Sequence, residues 1–177
     1  MKNNGLNIKG LCKQIKSDKN RLIWSLRDGC HTITNRHWLI KFDELPREVL
    51  VTLLSVFGEA PEDGMLLQNA HYSDVPLRNV ALTDERWKPV SEGKPATYTS
   101  FIHDAGDVGY LRVFKHEDQF IFINENYLQA VGEHFGRENI KCNGYFQPVY
   151  FENINYLVLP MRMTKVHDLF TLKELTN

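Results

Sequence analysis

The sequence predicts an α+β fold, with helices packed on a curved antiparallel sheet. Three observations predict it. Residues 8–17 and 44–57 carry apolar side chains at helical spacing. Asp28-Gly29 and Asn143-Gly144 are hairpin-turn signals set between apolar runs. The order helix, strand, turn, strand runs over 8–42 and returns over 125–163, where a final strand follows, so two similar units stand in tandem.

The elements follow in order. Ile8, Leu11, Cys12 and Ile15 fall on one face of a first helix, with lysines opposite. Arg21 to Leu26 reads as a strand, Asp28-Gly29 as its turn, and Thr32 to Phe42 as the returning strand or strands. The helix at 44–57 has Asp43 as N-cap, Pro46 in its first turn and Gly58 as its stop. Its stripe of Leu45, Val49, Leu50, Leu53, Leu54 and Phe57 marks a core element. Residues 58–100 hold four of the seven prolines and little periodicity, which predicts long loops with a short strand or turn at most. Tyr110 to Phe114 and Gln119 to Ile123 flank the polar turn Lys115 to Asp118. Asn124 caps a third helix over 125–135, with Tyr127, Leu128, Val131 and Phe135 inward and Gly136 as stop. Ile140 to Cys142, Tyr145 to Phe151 and Tyr156 to Met163 are the last strands. The final one is a continuous apolar run that meets Pro160, which has no N–H for a ladder, and ends in a Met-Arg-Met tip.

The organisation expected is one domain over 1–163, irregular at about 58–107, with a tail at 164–177. At 177 residues the chain buries about two-thirds of its unfolded surface and needs no staples. Composition, at 42% hydrophobic and 24% charged, is that of a packed globular chain rather than a disordered one. A net charge of −1 gives no global drive toward nucleic acid. Lys9, Lys13 and Lys16, with Lys19 and Arg21, form a local basic cluster that is either a solvated helix face or a DNA-facing one. Cys12, Cys30 and Cys142 are odd in number and widely spaced, and the opening residues carry no secretory signal, which points to a reducing cytoplasmic setting. No run approaches the roughly 20 apolar residues that cross a bilayer.

Chemistry is sparsely signalled. His31 and His37, His103 with Asp104 and Asp107, and His116 with Glu117 and Asp118 lack a recognised metal-ligand spacing, so no metal or cofactor is expected. No G-x-S-x-G occurs, and Gly106 and Gly109 lack the lysine and strand-to-helix setting of a phosphate loop. Trp24, Trp38 and Trp87, near Arg21, Arg36 and Arg86, are either core residues or base-stacking ones.

Two segments carry a resemblance. Leu159-Pro160-Met161-Arg162-Met163 resembles the end of the last strand of the bacterial replication sliding clamp, the DNA polymerase III β subunit. The whole unit 124–163 follows that pattern, and 8–42 does so weakly. Thr34-Asn35-Arg36-His37-Trp38-Leu39 resembles the clamp strand ending Thr-Asp-Gly-His-Arg-Leu, with Arg36 where the family has a conformationally free glycine. In clamps these segments line a pocket for partner peptides. The resemblance therefore implies a groove formed by Thr34, His37, Leu39, Leu159, Pro160, Met161 and Arg162. Met suits varied apolar partners, and an arginine head meets a carboxylate. It also implies a first helix facing DNA through Lys9, Lys13 and Lys16, and a homo-oligomeric ring of about six such domains. In the tail, Asp168-Leu169-Phe170 resembles the end of clamp-binding peptides; a short amphipathic helix packed on the domain is the other reading of that segment.

The function expected is a non-catalytic clamp-like accessory protein of DNA replication or repair, of phage or mobile-element origin. An inhibitor or decoy that blocks a cellular protein, and a small hydrolase or nuclease using His103, Asp104 and Asp107, are the alternatives.

Overall fold

The computed structural model describes residues 5–69, 90–132 and 139–162. Among them lie two α-helices and eleven strands, all paired antiparallel, so the architecture is mixed α+β and mostly sheet. Helix α1 (Ile8–Ser17) opens on Asn7, whose side chain accepts from the Gly10 N–H. Strands β1 (Ile23–Arg27) and β2 (Cys30–Thr34) form a hairpin on Asp28 and Gly29. Both turn residues have positive φ (50° and 74°), the backbone that a two-residue turn of this hand demands. Strand β3 (Trp38–Phe42) pairs with β2. Helix α2 (Arg47–Phe57) ends on left-handed Gly58. Its N-cap is Pro46, without a side-chain cap bond, so the expected Asp43 cap is not made.

The span read as loops carries strands. β4 (Leu66–Gln68) adds to β1, β5 (Lys94–Pro95) pairs with β9, and β6 (Thr97–Asp104) is eight residues long. β7 (Tyr110–His116) and β8 (Gln119–Asn124) form the expected hairpin on a tighter turn, with Glu117 at φ 52°. Asn124 does act as a cap, but over a single 3₁₀ turn, Glu125–Leu128; the expected helix does not extend through the described residues, and Gly132 has φ 71°. β9 (Ile140–Cys142) and β10 (Val149–Phe151) are joined by a six-residue connection rather than an Asn143-Gly144 two-residue turn. β11 (Tyr156–Val158) follows.

These strands form two sheets. The larger has the order β4-β1-β2-β3-β11-β10-β9-β5, and the smaller β6-β7-β8. The chain passes between them three times, once from β8 to β9. Residues 94–104 leave β9 and join β7, with the Ala96 N–H still bonded to the Ile140 carbonyl. After β11, the Met161 N–H donates to the Phe122 carbonyl on β8 at 2.8 Å.

One apolar core joins all layers. Leu11 and Ile15 of α1, Val49 and Leu53 of α2, Trp24, Ile33, Trp38 and Ile40 of β1–β3, and Phe114, Ile121 and Ile123 of the small sheet bury together. Phe151 bridges the halves, edge-on to Phe114 and tilted against Tyr156. Burial of such side chains contributes about 1.5–3 kcal/mol each. Trp24 and Trp38 belong to this core, which removes them from base stacking; Arg86 and Trp87 lie outside the described residues. Leu54 of the α2 stripe is exposed rather than buried.

Candidate partner-binding groove

The β2–β3 turn is held from within. Asn35 Oδ1 accepts from the N–H groups of His37 (2.8 Å) and Trp38 (3.0 Å). Thr34 Oγ1 accepts from the Arg36 N–H and donates to the Trp38 carbonyl. Asp18 Oδ2, at the end of α1, accepts from both Asn35 Nδ2 (2.9 Å) and Trp38 Nε1 (2.8 Å). Arg36 has φ 75°, the left-handed conformation that glycine adopts without strain. Thr34, 4% exposed, is therefore a staple of the turn and not a groove wall. Leu39 is likewise withdrawn: it is 5% exposed and packs with Tyr150 and Leu157, a separate cluster backed by Val90.

His37 faces outward. Its ring stacks on Tyr127, with centroids 5.5 Å apart and planes 7° from parallel. Tyr127 is itself fixed, because its carbonyl accepts from the buried Tyr156 hydroxyl, which in turn accepts from Gln14 Nε2 at 2.7 Å. Burial drives the Tyr156 phenol well above its ordinary range, so it stays a proton donor.

β11 brings the second segment alongside. Val158 pairs with Trp38, and the Leu159 N–H donates to the His37 carbonyl at 2.8 Å. Leu159 is 38% exposed and Pro160 half-buried. Met161 departs from expectation. It is not at an exposed tip; it packs with Leu111, Val113, Phe120 and Phe122 on the face of the small sheet turned from the main core. Arg162 is exposed, with its guanidinium 5.7 Å from the centroid of the Phe146 ring. Phe146 is 57% exposed and stands edge-on to Tyr145 at 4.4 Å. Two aromatic contacts therefore flank the chain at 159–162: the His37–Tyr127 stack beside Leu159, and Arg162 over Phe146.

Of the expected groove residues, His37 and Leu159 are joined by a backbone hydrogen bond and Pro160 and Arg162 follow Leu159 in the chain, while Thr34, Leu39 and Met161 serve as supports. Tyr127 and Phe146 were missed. Tyr127 read as an inward helix residue and Phe146 as part of a strand, and neither assignment signals a groove.

The remaining candidates lie elsewhere. Asp168, Leu169 and Phe170 fall outside the described residues. Lys9, Lys13 and Lys16 are exposed on α1. His103 sits edge-on to Phe122, while its strand neighbour Asp104 points to the opposite face and accepts from the Gly106 N–H; Asp107 is exposed in a 3₁₀ turn. That alternation keeps His103 and Asp104 from acting together on one substrate atom. Among the described residues no group of three or more His, Cys, Asp or Glu could hold a metal ion. Cys12, Cys30 and Cys142 are free thiols, and burial raises the Cys142 thiol pKa. No helix of the described residues is long and apolar enough to cross a membrane. The chain matches no protein-family model, no curated protein and no solved structure.

Proposed function

We propose that the chain is a non-catalytic, clamp-like accessory protein of DNA replication or repair, and that the strip from Tyr127 to Phe146 receives a short peptide of a partner protein. The observation that carries this reading is the Leu159-to-His37 hydrogen bond. It joins, within one protomer, the two segments whose sequences resemble the clamp pocket motifs. The positive φ at Arg36 supports the same alignment, because that is where the family requires glycine.

The chemistry suits such a peptide. The His37–Tyr127 stack offers a flat wall, Leu159 and Pro160 an apolar floor, and Arg162 beside Phe146 a cation held over an aromatic face. An Asp-Leu-Phe peptide places its carboxylate on Arg162 and its two apolar side chains on the floor. Fluorescence anisotropy with a labelled peptide ending in Asp-Leu-Phe tests the reading. Saturable binding that weakens at least about tenfold in both Arg162→Ala and His37→Ala is expected. Absence of saturable binding, or binding by either variant as tight as that of the parent protein, sinks it.

A further inference from the structure

A second surface lies between the two helices. Lys9, Lys13 and Lys16 recur at i, i+4 and i+7 along α1, so their charges form one row of roughly 10 Å. Beside that row is a cleft of about 590 Å³, whose floor is Ile8, Cys12 and Thr52. Glu48 of α2 stands on the far wall, and its carbonyl accepts from the Cys12 thiol.

The lysine row is uncompensated. None of the three makes an ion pair among the described residues. The first turn of α1 has no acidic side chain, and Lys9 stands in it, at the end of the helix dipole that disfavours a cation. Local helix stability does not account for Lys9, whereas Lys16 lies in the last turn, where the dipole favours a cation. The floor then selects the kind of ligand. A phosphate backbone gains nothing from the apolar side chains of Ile8 and Cys12. A helix with carboxylates at i, i+4 and i+7 beside an apolar stripe meets both the row and the floor.

We propose that the α1–α2 cleft docks an acidic amphipathic helix of a partner protein. This surface is separate from the His37–Arg162 strip and stands or falls without it. The test uses a labelled helical peptide with Leu on one stripe and Glu at i, i+4 and i+7, with Gln and Lys versions and a labelled DNA duplex beside it. The Glu peptide is expected to bind saturably, and at least about tenfold tighter than the Gln version. The triple variant Lys9→Glu, Lys13→Glu, Lys16→Glu should reverse the preference toward the Lys peptide; since the three side chains are exposed, it keeps the core intact. Failure of the Glu peptide to saturate, duplex DNA binding more tightly than it, or an unchanged preference in the triple variant each overturns the proposal.

Discussion

Replacing Gly10 by Ala is predicted to destabilise the fold, against the direction of helix propensity. Alone, the change favours α1 by about 1 kcal/mol. The structure opposes it. A Cβ at Gly10 would stand 1.9 Å from the Gln129 carbonyl oxygen and 2.7 Å from Asn7 Nδ2. The first distance is about 1.5 Å short of the 3.4 Å where ordinary contact begins, and the obstruction is backbone, which no rotamer change clears. α1 and the 125–132 segment must separate. Overpacking of this kind costs about 1–3 kcal/mol, and the Asn7 N–H to Ala130 carbonyl bond at 2.8 Å, worth about 1 kcal/mol, is strained or lost with it. The balance is a net loss of about 2 kcal/mol. Urea unfolding followed by far-UV circular dichroism reads it: with an m-value of about 2 kcal/mol/M, the midpoint falls by about 1 M at unchanged m. Because Tyr127 rides on the displaced segment, binding of the Asp-Leu-Phe peptide should weaken as well. A midpoint equal to or above that of the parent protein refutes the reasoning, since it would mean the close approach is absent.

Three further outcomes follow from the turn and the hairpin. Asp18→Ala strips the acceptor from Asn35 Nδ2 and Trp38 Nε1 together, and about 3 kcal/mol of stability with it, a Tm drop of about 6–12 °C by calorimetry. Arg36→Gly removes the cost of a left-handed non-glycine residue and should raise the urea midpoint, by up to about 1 kcal/mol in stability after the added chain entropy of glycine is subtracted. His31 is held neutral: burial lowers its pKa, and its Nδ1 accepts from Trp24 Nε1 at 3.2 Å. On acidification the unfolded chain binds the proton first, so the contribution of His31 is complete above about pH 6.5 and is lost as pH falls through the lowered folded pKa. The urea midpoint of the parent protein should therefore decline from pH 7.5 to 5 more steeply than that of His31→Gln; parallel declines would remove the assignment.

What was legible in the sequence was what local pattern encodes. The stripe of α1, the Asp28-Gly29 turn, the Gly58 stop and the Asn124 cap each depend on residues a few positions apart, and each is found. β6 was missed because its alternation breaks. Its apolar residues Tyr98, Phe101 and Ile102 are not spaced by two: Tyr98 packs on the main core, Phe101 with the second cluster, and Ile102 is exposed, with a bulge between Tyr98 and Ile102. The 125–135 helix was over-read because Tyr127, Leu128 and Val131 mimic helical spacing over what begins as one 3₁₀ turn. The final strand was drawn too long, since at Pro160 the chain crosses to β8 instead of continuing beside β3. The groove is a different matter. His37 and Leu159 meet only because β11 pairs with β3 across more than a hundred residues, and no local signal reports that pairing. Phe146 joins through a connection that reads as strand.

Residue-resolved mapping of peptide binding bears most directly on the central claim. In ¹⁵N-labelled protein titrated with the Asp-Leu-Phe peptide, amide shifts are expected to concentrate at His37, Tyr127, Phe146, Leu159 and Arg162, with α1 and α2 undisturbed. Shifts gathered on another face, or no saturable shifts at all, would contradict it.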